Sequence, residues 1–217
     1  MKYAVPFALL LLLSCVSTAK RSLAERYYNI ATDYYNAKNY KQAADYYELA
    51  LKEDRNLKVV FFNYGLALIE LKDYSQAKQQ LMRAYAIDRR NTLCISALGY
   101  LSFNSKDYEE AANWYRQAVE INSFNPETFY NLGIVEQYLG NYEESQTFFD
   151  KIADLQSPQD QPTELRRFAA LNQLYLGDEV KAMELYNEYF ADRGANEIVF
   201  QDVYDFYNKS EEYDRLI

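Results

Sequence analysis

The chain's chemically capable residues are unevenly supplied. Its 217 residues include no histidine, which removes the commonest general base and the commonest metal ligand. The only thiols are Cys15 and Cys94, too few for a disulfide framework or a thiolate metal cage. Carboxylates are plentiful, and Glu109-Glu110 and Glu143-Glu144 have the composition of a general acid–base pair or a cation site. Each pair opens an expected helix, however, where acids complement the positive helix end, so both read as solvated first-turn residues. No nucleophile elbow, phosphate-binding loop, dinucleotide loop or calcium loop occurs. Cys94 lies among apolar neighbours and reads as a buried small residue. The expectation is therefore a non-enzyme with no cofactor and no metal site. A net charge of −9 argues against nucleic acid or an anionic bilayer surface as a partner. The chemistry left is contact chemistry, carried by 23 tyrosines and 12 phenylalanines.

The N-terminus reads as an export signal over residues 1–19. Met1-Lys2 is a short basic start, and Ala4 to Leu13 is an apolar run of ten residues, too short to span a bilayer as a helix. Two processing sites compete. Leu12-Leu13-Ser14-Cys15 resembles a bacterial lipobox, which implies lipidation of Cys15 and a membrane tether; Ser17-Thr18-Ala19 offers ordinary cleavage. Cutting before Cys15 removes one lysine and no acid, so −9 becomes −10.

The elements that position everything else are set by a ladder. Tyr40, Tyr74, Tyr108 and Tyr142 recur at intervals of 34 residues. Ala43, Ala77, Ala111 and Ser145 keep the same interval, as do Ala50, Ala84, Ala118 and Ile152, and Ala31, Gly65, Gly99 and Gly133. Fixed-phase small and aromatic residues signal an internal repeat, and apolar spacing of three and four predicts helices. Asn39, Asp73, Asp107, Asn141 and Asp178 stand where N-caps would start each second helix. Asn125-Pro126 opens the first helix of repeat 4, and Ser22 to Glu25 has capping-box spacing to start the array. The ladder tyrosines and their small companions read as core.

The pattern resembles the tetratricopeptide repeat. In repeat 2, Phe61, Tyr64, Gly65, Leu68, Tyr74, Ala77, Leu81 and Ala84 fill its signature positions. The first-helix tryptophan is never Trp here, and Arg55, Arg89, Ser123 and Ser157 replace the terminal proline. The resemblance implies an all-α, right-handed α-solenoid of helix–turn–helix repeats. Four regular repeats occupy 24–159, a proline-containing insertion 160–162, a degenerate fifth repeat 163–196, and a capping helix with its tail 197–217.

In this family the first helices line a concave face through positions 2, 5, 9, 12 and 13 of each repeat. Carried over, the resemblance places Tyr28, Tyr35, Val59, Phe62, Leu66, Ile69, Leu93, Tyr100, Phe103, Tyr130, Ile134, Tyr138, Leu171, Leu174 and Tyr175 there. Polar members, among them Gln137 and Arg167, are few. A solvated face has no packing reason to be so apolar, and such patches mark binding sites. Of the family's carboxylate clamp only Asn63 is kept, so a terminal carboxylate is not the expected ligand. The expectation is an exported scaffold in a bacterial envelope, tethered by lipid or free in the periplasm, that binds an apolar or aromatic peptide segment of an envelope protein. The alternatives are a carrier of a hydrophobic small molecule and a self-associating assembly lipoprotein of the outer-membrane-protein or pilus machinery. Oligomeric state is left open.

Overall fold

The computed structural model describes residues 4–194 and 197–209, with side chains over 19–194 and 197–208. Among these residues every regular element is a helix. The order is α1 (Ala4–Asn36), α2 (Tyr40–Glu53), α3 (Val59–Glu70), α4 (Tyr74–Ile87), α5 (Thr92–Asn104), α6 (Tyr108–Ile121), α7 (Pro126–Leu139), α8 (Tyr142–Leu155), α9 (Thr163–Tyr175), α10 (Glu179–Arg193) and α11 (Glu197–Lys209). The result is an all-α solenoid of paired helices. It divides into two compact units, residues 1–101 and 102–217.

The turn inside each pair is built the same way five times. Lys38, Lys72, Lys106, Gly140 and Gly177 all take positive φ, between 59° and 84°. Such a residue closes the first helix: its N–H bonds the carbonyl three residues back, and the next N–H bonds the one five back, as in Lys106 to Phe103 at 2.9 Å and Asp107 to Ser102 at 2.9 Å. This is the Schellman pattern, and the residue after it is already the N-cap of the second helix. Side-chain capping is selective. Asp73, Asp107 and Asp178 accept from the N–H three residues on, and Asn125 accepts from Glu127 and Thr128 ahead of Pro126. Asn39 and Asn141 make no side-chain cap bond. At Asn141 the amide instead donates to Glu136 Oε2 at 2.9 Å.

The expected start at Ser22 is corrected. Helix α1 runs without a break from Ala4 to Asn36, straight through the proposed capping box. No helix of the described residues is long and apolar enough to cross a membrane. The Cys15 side chain, and Tyr213 of the tail, lie outside the described residues.

Small residues let the helices of a pair approach. Ala31, Ala43, Ala77, Ala111 and Ser145 are fully buried. At Gly133 the Phe149 ring occupies the space a Cβ would need, with Cδ1 at 2.7 Å. In the first unit, Tyr47, Val60, Phe61, Leu81, Ile95 and Leu98 form the interior beside Cys94. The Cys94 thiol donates to the Leu81 carbonyl at 3.3 Å, and burial pushes it up to about 11. In the second unit one core joins Ala111, Tyr115, Phe129, Leu132, Phe149, Ile152 and Leu165. Another joins Ala170, Leu174, Ala182, Tyr186, Tyr189 and Val199.

Polar residues are buried inside this second unit too. Glu136 has no exposed surface and accepts from Arg116 Nη2 at 2.6 Å. Burial is the main reason its carboxyl lies above the usual range, with Asn141 and Arg116 pulling the other way. Ser145, standing where the other repeats have Ala, donates to the Gly133 carbonyl at 2.7 Å and accepts from Asn172 Nδ2 at 2.8 Å. Gln137 Nε2 in turn donates to Asn172 and to the Phe168 carbonyl. Each group has partners, which is the condition for burying it.

Candidate functional site

Most of the residues expected on the first-helix face are half-buried, with part of each ring or branch reaching solvent. In the first unit, Tyr28 packs against Tyr47 with ring centroids 6.0 Å apart. The Asn63 amide donates to the Tyr28 hydroxyl at 2.8 Å, so that asparagine serves the repeat interface rather than a carboxylate. Tyr35 meets Tyr40 edge-on at 5.5 Å. Phe62, Leu66 and Ile69 are half-buried along α3. Val59, Leu93 and Tyr100 are exposed, the last two by 66% and 44%.

The second unit gathers its share into clusters. Phe103, Tyr108 and Tyr138 form a triad with centroids 4.9 to 5.5 Å apart, and Tyr138 is still 55% exposed. Tyr130 meets Phe168 edge-on at 6.1 Å. Burial foremost, and the Glu164 charge, push its phenol up to about 12. Ile134 and Leu171 are half-buried against the cores. Tyr142 and Tyr175 stack parallel at 4.1 Å, and Phe206 meets Tyr175 edge-on at 5.0 Å.

Two expectations need correction. Leu174 is only 3% exposed and belongs to the α9–α11 core. Its position in the repeat points toward the following first helix, and Gln137, at the same position of the preceding repeat, is buried for the same reason. The ladder tyrosines, in turn, are not interior: Tyr40, Tyr74, Tyr108 and Tyr142 are all half-buried. Tyr40, Tyr108 and Tyr142 lean on aromatic residues of first helices, so within each unit ladder and face share aromatic contacts.

The aromatic residues of the second unit border a cavity of about 380 Å³, lined by Gln137, Tyr138, Leu139, Gly140, Tyr142, Arg167, Phe168, Leu171, Tyr175, Asp202 and Asp205. Arg167 lines it, with Nη1 2.9 Å from Asp202 Oδ2; its Nε lies 3.4 Å from Glu164 and is buried without a hydrogen bond. Its guanidinium also lies over the Phe168 ring, 4.5 Å from the centroid. Burial raises the Asp202 carboxyl to about 6 although Arg167 lowers it. Asp205 is exposed and accepts from Gln201 Nε2 at 2.7 Å. A second cavity, of about 560 Å³, lies between α10 and α11 and is lined mostly by apolar residues such as Met183, Phe190, Val199 and Phe200. Among the described residues no group of His, Cys, Asp or Glu could hold a metal ion.

Asp202, Asp205 and Phe168 are absent from the sequence-based set. The signal for Asp205 was present. Extending the first-helix positions to α11 yields Ile198, Gln201 and Asp205. Asp202 and Phe168 lie one residue beyond such positions.

Comparison with known proteins identifies the repeat. The tetratricopeptide repeat profile matches residues 24–57, 60–91 and 126–158, and a second profile, described as TPR repeat, matches 99–140. Together they cover more than half of the chain. The chain belongs to the tetratricopeptide repeat family. Its fold is that of a protein-interaction scaffold. No curated protein matches the chain in sequence. Among solved structures, a tetratricopeptide repeat protein from Parabacteroides merdae matches with a TM-score of 0.75 at 17% identity, over 89% of this chain and 76% of that one. MamA matches with 0.69 at 16% identity, over 88% and 95%. YrrB, described as a TPR protein with an unusual peptide-binding site, matches with 0.69 at 19% identity, over 81% and 89%. At these identities the likeness concerns the repeat fold. The family match places residues 24–57 in one repeat although α1 begins upstream at Ala4.

Proposed function

We propose that this tetratricopeptide repeat protein is an exported, non-catalytic scaffold that holds an apolar or aromatic peptide segment of an envelope protein against its first-helix faces. The observation that carries the reading is the half-exposed aromatic set on those faces, from Tyr28 and Tyr35 to Tyr138 and Tyr175. Interior packing would hide such rings and solvation would replace them with polar residues; partial exposure is what an anchor surface needs. The fold supports peptide binding in kind, as the description of YrrB illustrates for that protein. Export rests on the basic start, the ten-residue apolar run and the Leu12-Leu13-Ser14-Cys15 lipobox.

Two experiments test the two halves. Crosslinking and pull-down from intact cells should recover a discrete envelope protein with the wild type and lose it in Phe62→Ala/Tyr100→Ala/Phe103→Ala; retention by the triple variant sinks the binding face. Palmitate labelling should vanish in Cys15→Ala, and persistent label sinks the lipid tether. The apolar cavity between α10 and α11 favours a second reading, a carrier of a hydrophobic small molecule. Native mass spectrometry of the envelope-purified protein would then show a lipid-sized adduct.

A further inference from the structure

We propose that the cavity of the second unit receives a basic side chain, lysine or arginine, from the bound peptide. This rests on the peptide-scaffold reading and assigns that peptide a positive charge at one place. The first ground is the balance of charge. Among the described residues Arg167 is the only cation lining the cavity; Asp202 accepts from its Nη1 at 2.9 Å, and Glu164 lies 3.4 Å from its Nε without a hydrogen bond to it. Asp205 lines the same space, exposed, and accepts from Gln201 Nε2. The lining charges are one positive and two negative, and Glu164 behind Arg167 adds a third carboxylate. That net negative field attracts a cation and repels an anion.

The second ground is the wall. Tyr138, Tyr142, Phe168 and Tyr175 border the cavity. Aromatic faces attract ammonium and guanidinium groups and cover the apolar stem of a long basic side chain. Arg167 lying over Phe168 shows the same pairing within the protein itself. A volume of about 380 Å³ is roomy for one such side chain, at the lower end of ordinary ligand sites.

The test uses the full chain and defined probes. Amide chemical shifts would be followed while adding N-acetyl-lysine methylamide, its norleucine and glutamate counterparts, or free putrescine. The lysine probe should shift signals of α9, α11 and Tyr142, and bind about five-fold or more tighter than the norleucine probe. Asp205→Asn, an exposed change that leaves the fold intact, should weaken the lysine probe about three-fold or more, and Asp202→Asn, if folded, should do so as well. The proposal is overturned if norleucine binds as well as lysine, if glutamate or putrescine binds tighter, if Asp205→Asn has no effect, or if no probe binds by 50 mM, roughly the weak limit for a useful subsite. A randomised peptide library separates this from the parent reading. Enrichment of aromatic sequences without lysine or arginine leaves the scaffold standing and removes the basic subsite. No enriched sequence at all removes the scaffold reading itself.

Discussion

Replacing Gly133 with alanine should destabilise the protein, against the general rule for helices. In an unconstrained helix interior alanine is better than glycine by about 1 kcal/mol. Here the new methyl would meet the Phe149 ring, with Cδ1 at 2.7 Å and Cζ at 3.0 Å. That ring is buried in the main core of the second unit, so it can retreat only by disturbing its neighbours. Overpacking of this kind costs about 1–3 kcal/mol, which outweighs the propensity gain. The expected net loss is up to about 2 kcal/mol, or up to roughly 8 °C in Tm for a chain of this size. The decisive assay is a cycle with Phe149→Ala, measured by urea unfolding. With the ring gone the clash goes too, and Gly133→Ala should become neutral or stabilising by up to about 1 kcal/mol. Repeat 1 tolerates Ala31 at the equivalent place, whereas in repeat 2 a Cβ on Gly65 would meet the Leu81 side chain at 2.7 Å, so the cost depends on which side chain stands opposite. Equal effects of Gly133→Ala in both backgrounds would refute the steric argument.

Four further outcomes follow from the same structure. Asp202 is mostly buried, and its carboxyl is raised from 3.8 to about 6. The folded chain therefore holds that proton more tightly than the unfolded chain, and this contribution is complete below pH 3.8 and lost as pH rises to about 6; relative to Asp202→Asn, the wild type should lose up to about 3 kcal/mol between pH 4 and pH 7. Arg116→Met leaves the Glu136 carboxylate buried with Asn141 alone, so it should cost about 3 kcal/mol at pH 7, and Glu136→Gln in the same chain should recover part of it. Lys106 holds φ of 61°, and Lys106→Gly should gain about 0.5–1 kcal/mol because glycine takes that region without strain. The Cys94 thiol, buried and raised to about 11, should react with Ellman's reagent only at the rate of local unfolding, so fast labelling of native Cys15→Ala protein at pH 8 would contradict its placement.

The helix pairs were legible because their determinants are local and repeat. A small residue at a close approach and an aspartate cap are each readable from one position, and the 34-residue interval multiplies the signal. What closes the turns was legible only in part. Gly140 and Gly177 advertise a left-handed residue, but Lys38, Lys72 and Lys106 do not, since lysine adopts that region only where the surrounding bonds impose it. The buried polar network was not legible at all. Ser145, Asn172 and Gln137 are separated by 27 and 35 residues, so each reads alone as ordinary helix drift. The break expected at Ser22 failed for a related reason: capping-box spacing is a weak local preference, and the helical run upstream carries through it.

The ladder tyrosines carry the main lesson for the site. Their interval belongs to the repeat, but the partner of each ring does not. Tyr108 stacks on Tyr138 at 4.9 Å, and Tyr142 on Tyr175 at 4.1 Å. Both partners occupy the same position in the following first helix, where the two earlier repeats have Glu70 and Asn104. The same framework residue thus becomes part of an aromatic wall only where the next repeat supplies a second ring. Within the second unit this happens twice in succession, and at the second place α11 brings Asp202 and Asp205 to the same cavity. A regular interval builds the scaffold; departures from it, the tyrosines at that position and the aspartates of the last described helix, give this stretch its own chemistry.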